Sequence, residues 1–372
     1  MSTSMGELSV SPAVSVILPV LNEEAHLAES ISAILSQDYR GAFEVILALG
    51  PSQDRTDEIA KSLSARDPRV KLVANPTGKT ATGLNLAVAA STHPIIVRVD
   101  GHAKIPHDYL TLAVEILKQT GAVNVGGVMA AEGVSSFEKA VARAMRSPLG
   151  VGASRFHTGG EAGEVDTVYL GAFKREAINQ AGGFDERYTR AQDWELNFRL
   201  RKNGGLIYFD PRLQVTYRPR PNLRKLAKQY FQYGTWRRVV SRSHSGTINL
   251  RYLAPPVTLI GCVASVIGGS LIHPILYIPV FVYGVFVGLS AALISRSIRE
   301  FFSLLSIIPT MHSLGVRGSS PQLKRCGSLY PYERSCNRLR TLSRWSATAG
   351  FISALPLGPP LIYLRVFKVR TS

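Results

Sequence analysis

Two hydrophobic periods alternate along the first 200 positions of the chain. Residues 14–20 form an apolar run closing on a proline and a valine, the pattern of a buried strand. Residues 23–36 follow with Leu27, Ile31, Ile34 and Leu35 at helical spacing. The same exchange recurs: strand 43–49 and helix 54–65, strand 70–74 and helix 80–90, strand 94–99 and helix 109–120. Four strand–helix repeats predict an α/β fold with parallel strands in a doubly wound sheet, whose ligands lie beyond the carboxyl ends of the strands.

After a fifth strand at 123–129 the rhythm changes. A short helix is expected at 137–146, and residues 148–163 hold five glycines and a proline without periodicity, a mobile loop or a linker. A strand at 169–173 and helices at 175–180 and 193–203 complete the soluble part. Residues 222–242 then put Leu223, Leu226, Tyr230, Tyr233, Trp236 and Val240 on one face and Arg224, Lys225, Lys228, Arg238 and Arg242 on the other. Such a basic amphipathic helix is expected to lie in a membrane interface, with packing against the sheet as the alternative.

Charge sharpens this division. Of 43 basic and 26 acidic side chains, residues 1–210 carry 21 and 24; beyond them only Glu300 and Glu333 are acidic. A basic second part raises nucleic acid as a partner. Yet the 44 residues between Arg251 and Arg296 contain no Asp, Glu, Lys or Arg, a length suited to two membrane spans, expected at 253–272 and 275–295. Arg237, Arg238, Arg242 and Arg251 precede them and Arg296 and Arg299 follow, so both ends should face the cytoplasm. The basic charge then meets anionic membrane lipids, and no nucleic-acid partner is expected. The expected layout is a cytosolic α/β domain over 1–220, an interface region over 221–251, a transmembrane hairpin over 252–296 and a membrane-associated basic tail over 297–372. The protein should be multi-pass in the cytoplasmic membrane. Residues 301–316 and 347–367 are apolar, but the first is short for a span and the second holds three prolines and an arginine; both stay open between span and surface segment. MSTSMGELS lacks the basic start of a signal peptide, and Cys262, Cys326 and Cys336 form no CxxC pair, as in a reducing compartment.

Candidate chemistry begins at IIVRVDGHAKIP, residues 95–106, where a buried strand runs into Asp100, Gly101 and His102. A carboxylate facing a bound diphosphate only adds repulsion unless a divalent cation lies between them. Asp100 and His102, two apart on an extended chain, can turn to one side and suit Mn²⁺ or Mg²⁺; a plain Asp-Gly turn is the alternative. Lys79, in NPTGKT at a helix start, can contact a diphosphate or be a solvated loop lysine. Val73 stands where a Walker A loop needs its first glycine, which excludes a P-loop ATPase.

VSVILPVLNEE (14–24), Ser52-x-Asp54-x-Thr56, VDGH (99–102) and GGFDERYTRAQDWELNFRL (182–200) occur in this order. Together they resemble glycosyltransferase family 2 of GT-A fold, in the membrane-attached branch that includes succinoglycan chain-extending glucosyltransferases, over residues 14–240. The resemblance implies a Rossmann-like nucleotide-diphospho-sugar transferase domain. It further implies an inverting transfer to a lipid-linked or membrane-proximal glycan acceptor in polysaccharide or cell-envelope synthesis. By position, Asp100 takes the first acid of the family's metal-binding Asp-x-Asp, and His102 replaces the second. Asp193 matches the general base of a Glu-Asp pair, with Gln192 in place of the glutamate, and Trp194 would wall the acceptor site or be core. Pro19, Asn22 and Glu23 match the loop along the nucleoside. Asp54 would touch the nucleoside or merely cap a helix, and Glu23 would otherwise favour a helix dipole. Leu49, Gly50 and Pro51 stand where family members often carry an Asp pair. Gly171 and Ala172 match a segment near the acceptor, with strand-to-helix packing as the alternative; His157 and Asp166 fall near it without an assigned role. The rival reading is a non-catalytic sugar-nucleotide-binding or assembly protein, which His102, Gln192 and the missing acid pair would suit.

Overall fold

Alternate side chains of the first strand serve two different cores, which is why it is apolar on both faces. In the computed structural model, which describes residues 11–152, 154–244 and 250–313, β1 (Val14–Val20) sends Val14, Val16, Leu18 and Val20 to one face. There they meet Leu27, Ile31 and Ile34 of helix Leu27–Leu35 and Leu110, Ala113 and Leu117 of helix Tyr109–Thr120. Ile17 points the other way, to Ala81, Leu84 and Ala87 of helix Thr80–Ala90 and Leu196 and Leu200 of helix Gln192–Lys202. Two covered faces are what a central parallel strand requires.

Seven further strands complete the sheet: β2 (Phe43–Leu49), β3 (Val70–Ala74), β4 (Ile95–Arg98), β5 (Asn124–Ala131), β6 (Gly163–Glu164), β7 (Tyr169–Lys174) and β8 (Ile207–Tyr217). Their order is β3-β2-β1-β4-β7-β5-β8-β6. The first four are parallel, with Ile17 opposite both Ile46 and Arg98. The parallel strands expected from the four repeats are β1 to β4; the sheet as a whole is mixed, because β7, outside those repeats, runs antiparallel to both β4 and β5. Apolar periodicity marks a strand but carries no direction. The expected sequence pattern also missed β8. Its Asp210-Pro211-Arg212 interrupts the alternation, and the pairing with β5 jumps from Gly126↔Phe209 to Val128↔Gln214, a bulge that accommodates the proline. Within the stretch expected to be a loop or linker, the described residues form two single-turn helices, Pro148–Val151 and Arg155–Thr158.

Chain contacts define two units, Met1–Ser320 and Pro321–Ser372. The second lies outside the described residues, as does the expected apolar segment 347–367. Helix Leu223–Ser243 packs in part on the sheet, the alternative to the interface expectation, while Leu223 and Tyr233 of the same face stay exposed. Leu226 is buried in the cluster that holds Met129 and Tyr217, Val240 is buried, and the Trp236 ring lies 5.8 Å from that of Tyr188. Helix Ile298–Ser313 likewise buries Leu304, Ile307, Ile308 and Met311 against Val141, Ala144 and Met145 of helix Ser136–Met145, and Arg143 pairs with Glu300 at 2.8 Å. That segment is a packed amphipathic helix.

Between them lie helix Leu250–Leu271, a 3₁₀ turn at Pro274–Tyr277 and helix Ile278–Ile294. Among the described residues one helical stretch, Pro274–Ile294, is long and apolar enough to cross a membrane. In the preceding helix, Leu250–Leu271, the apolar stretch among the described residues is Val257–Leu271, so of the expected pair of spans one is supported among the described residues. Ile260, Ile267, Leu271, Phe281, Val282, Leu289 and Leu293 are all more than half exposed along this hairpin.

Candidate active site

At the carboxyl ends of β1 and β2 two loops are laced together. Asn22, held at a positive φ of 55°, accepts from the Gln53 N–H through Oδ1 (2.8 Å) and donates its own N–H to Ser52 Oγ (3.1 Å). The Glu23 N–H donates to Thr56 Oγ1 (2.7 Å), and the Glu24 N–H to Asp54 Oδ2 (3.2 Å). Asp54 Oδ1 accepts from the Thr56 N–H at 3.1 Å. The Thr56 hydroxyl, and after it these backbone bonds, hold the Asp54 carboxyl below its usual pKa. Both oxygens of Asp54 are thus engaged in loop closure, the capping alternative, and Ser52-x-Asp54-x-Thr56 reads as the clamp between the loops. Pro19 lies within β1, opposite Ala48. Gly78 packs beside this loop, its position for a Cβ 3.1 Å from Pro51 Cδ, and Lys79 follows it, exposed, at the head of helix Thr80–Ala90.

Glu23 reaches further. Its Oε1 lies 2.8 Å from His102 Nδ1. The Glu23 carboxylate raises the His102 pKa above that of a free imidazole, against burial, which lowers it; Asp100 adds to the rise. Gly101 lets the loops close: a Cβ there would stand 3.0 Å from Glu23 Cγ. A carboxylate on Nδ1 fixes the tautomer that leaves Nε2 as the available lone pair, the arrangement found behind metal-ligating histidines.

Asp100 and Asp193 meet on a residue that the sequence reading passed over. Arg98, the last residue of β4, is 3% exposed, and its guanidinium donates from Nη2 to Asp100 Oδ1 (3.0 Å) and from Nη1 to Asp193 Oδ1. Asp193 stands in the first turn of helix Gln192–Lys202, entered through Ala191 at a positive φ of 60°. Oδ2 of each aspartate has no hydrogen-bond partner among the described residues, and the two side chains are 21% and 22% exposed, open enough to meet a ligand. A signal for Arg98 existed: a lone charge between Val97 and Val99 in a buried strand requires a partner.

The acceptor-side candidates separate. Gln192 is buried, and Trp194 stacks on Phe198 (5.6 Å, 15°) with the Arg237 guanidinium 5.6 Å over its ring. Ala172 is a buried β7 residue paired with Val97. Gly171, at φ 113°, has no space for a Cβ: it would stand 2.4 Å from Asn124 Oδ1 and 2.9 Å from the Phe173 ring. That glycine serves packing, the alternative for this pair. His157 lies against Phe156 with ring centroids 4.3 Å apart, and burial pushes its pKa down to about 4, so it is neutral at pH 7. Asp166 pairs with Arg201 at 3.5 Å.

Could these residues hold a divalent cation? Among the described residues no group of three or more His, Cys, Asp or Glu is placed to do so. Asp100 Oδ2 and His102 Nε2 nevertheless have no hydrogen-bond partner among the described residues, and Glu23 supports the imidazole from behind. Two protein ligands fit a cation that takes its remaining ligands from water and phosphate oxygens.

Known proteins are similar to this chain in sequence and in fold. The family model of glycosyl transferase family 2 matches residues 15–182. The succinoglycan biosynthesis protein ExoA of Rhizobium meliloti is 34% identical over 242 residues, 64% of this chain and 73% of that protein. A dolichyl N-acetyl-alpha-D-glucosaminyl phosphate 3-beta-D-2,3-diacetamido-2,3-dideoxy-beta-D-glucuronosyltransferase of Methanococcus voltae is 25% identical over 270 residues, 70% of this chain and 83% of that protein. Among solved structures, the mannosyltransferase PcManGT of Pyrobaculum calidifontis, in complex with GDP-Man and Mn²⁺, superposes with a TM-score of 0.57 at 20% identity, covering 82% of this chain and 88% of that one.

Proposed function

The chain belongs to glycosyl transferase family 2, and on that premise we propose that it is an inverting enzyme serving a membrane-borne acceptor. The donor is a nucleotide-diphospho-sugar, and the acceptor a lipid-linked or membrane-proximal glycan in polysaccharide or envelope synthesis. The observation that carries this reading is the meeting of Asp100, at the end of β4, and Asp193, 93 positions later, on the one guanidinium of Arg98.

In this reading Asp193 takes the proton from the acceptor hydroxyl through its unengaged oxygen. The hydroxyl oxygen forms the new bond to the anomeric carbon, and the bond from that carbon to the diphosphate oxygen breaks with its electron pair leaving on the nucleoside diphosphate. Attack from the face opposite the leaving group inverts the anomeric centre. Mn²⁺ or Mg²⁺, held by Asp100 and His102, would neutralise charge on the diphosphate. The mannosyltransferase of similar fold, solved with GDP-Man and Mn²⁺, supports both the class of donor and the cation. Pro19, Asn22 and Glu23 form the donor's edge, with Asp54 holding their loop and Lys79 at its rim. Gln192 and Trp194 border the acceptor. The exposed apolar hairpin supports anchorage of a cytosolic catalytic domain in the cytoplasmic membrane.

A panel of UDP-, GDP- and dTDP-sugars, incubated in detergent with Mn²⁺ and a membrane extract, tests the reading by release of nucleoside diphosphate. One donor should turn over, and Asp193→Asn should lower kcat by about 10²–10⁴-fold, the scale of a lost general base. Asn keeps an oxygen for Arg98, so donor KM should stay within about threefold. Binding without turnover across the panel would favour the non-catalytic rival.

A further inference from the structure

Arg98 is a charged side chain inside the most buried part of the sheet, opposite Ile17 on β1. A buried guanidinium is tolerated only when its charge and its N–H groups are matched. Here the match comes from two carboxylates of different origin, one two residues along the same chain segment and one from the helix that opens at Gln192. Its Nε is buried without a partner among the described residues, so there these two bonds are the ones that hold the head group. The planar fork fixes the separation and relative tilt of Nη1 and Nη2, and with them the two oxygens they hold. An aspartate in the first turn of a helix would otherwise be free to fold back on its own backbone N–H groups. One oxygen of each carboxylate is taken and the other is left open.

We propose that Arg98 is the positioning residue of the transfer site, the clamp that sets the carboxylate of Asp193 relative to that of Asp100. Its role rests on the transferase reading above. The clamp acts on the chemical step through Asp193, with Asp100 as the fixed point it is held against. It also lends Asp100 a positive neighbour, so the carboxylate is less attractive to a free cation than it would be alone.

Arg98→Met, Arg98→Lys, Asp193→Asn and the double variant Arg98→Met/Asp193→Asn, all in the full chain, test this with two readouts. Rates use the sugar nucleotide that turns over in the panel. Binding uses Mn²⁺ alone, titrated by electron paramagnetic resonance without donor. Arg98→Met should lower kcat about 10²-fold with donor KM within about threefold. Arg98→Lys, which keeps the charge but reaches one carboxylate at a time, should recover about tenfold of that loss. The double variant should fall no more than about threefold below Asp193→Asn, because a clamp has nothing to add once its base is gone. Mn²⁺ should bind Arg98→Met about fivefold or more tightly than the parent, a change that mere loosening of the strand would not give.

Additive losses in the double variant, a kcat for Arg98→Met within threefold of the parent, or Mn²⁺ binding unchanged or weakened would each overturn the clamp. The outcomes stay separable from failure of the function. If Asp193→Asn itself turns over at the parental rate, the base assignment falls; if it is dead and Arg98→Met is not, the clamp alone falls.

Discussion

Replacement of Val282 by Asp separates a lipid-facing helix from a merely exposed one by the size of its effect. Val282 is 58% exposed and lies two positions from the middle of the apolar stretch Pro274–Ile294. Twelve of those 21 residues are Leu, Ile, Val or Phe. At about −0.3 to −0.6 kcal/mol each near a bilayer centre they favour insertion by roughly 4–7 kcal/mol, before offsets from two prolines, two glycines and a serine. An Asp costs about 2.5–3.5 kcal/mol at such a position, so the exchange shifts insertion by about 3–4 kcal/mol. One exchange should thus bring the stretch close to balance. A second on the same face at Leu289, 61% exposed, should reverse it. In water the same exchanges are surface substitutions worth about 0.5 kcal/mol or less. Membranes carrying the parent, Val282→Asp and Val282→Asp/Leu289→Asp are washed in alkaline carbonate and floated in a density gradient. The parent should float, the single variant should divide between fractions, and the double variant should stay soluble or aggregate at the bottom. A double variant that floats as firmly as the parent would refute lipid contact at this face. So would a parent that remains in the supernatant without detergent.

Glu23→Ala removes the carboxylate behind His102 Nδ1 and should weaken Mn²⁺ binding about 10–100-fold in an isothermal titration, the usual scale for a lost supporting group. An unchanged affinity would remove His102 from the ligand set. Glu44 concerns the frame instead. Burial alone would raise its pKa, but Lys71, Ser15 and Thr92 outweigh burial and bring it from 4.5 down to about 2. A depressed carboxyl pKa stabilises the fold fully above pH 4.5, and that contribution, about 3 kcal/mol, is lost as the pH falls from there to about 2. Glu44→Gln should lower Tm at pH 7 and flatten its decline over that acid range. Parallel acid limbs for parent and variant would contradict this.

What could be read from the sequence was whatever a single local segment encodes. β1 to β4 and their helices follow from period alone, and Asp100 and His102 announce themselves as polar groups where an apolar run stops, whereas Asn22 and Glu23 are reached through the family resemblance. Quantities set by two distant segments were not legible. The antiparallel β7 is one, since its own residues say strand without saying which neighbour it joins. Helix Ile298–Ser313 is another: an apolar face looks the same whether lipid or protein covers it, and what decides is the Arg143–Glu300 pair, with one partner in each segment. Arg98 is the clearest case, because its meaning lies in Asp193, 95 residues away. Yet the same physics supplies a rule for finding such residues. Leaving a charge unpaired inside a strand costs several kcal/mol, so a lone Arg flanked by Val97 and Val99 implies a carboxylate contributed by another element. Buried charges in a sequence therefore report tertiary partners, whereas apolar period reports only local structure.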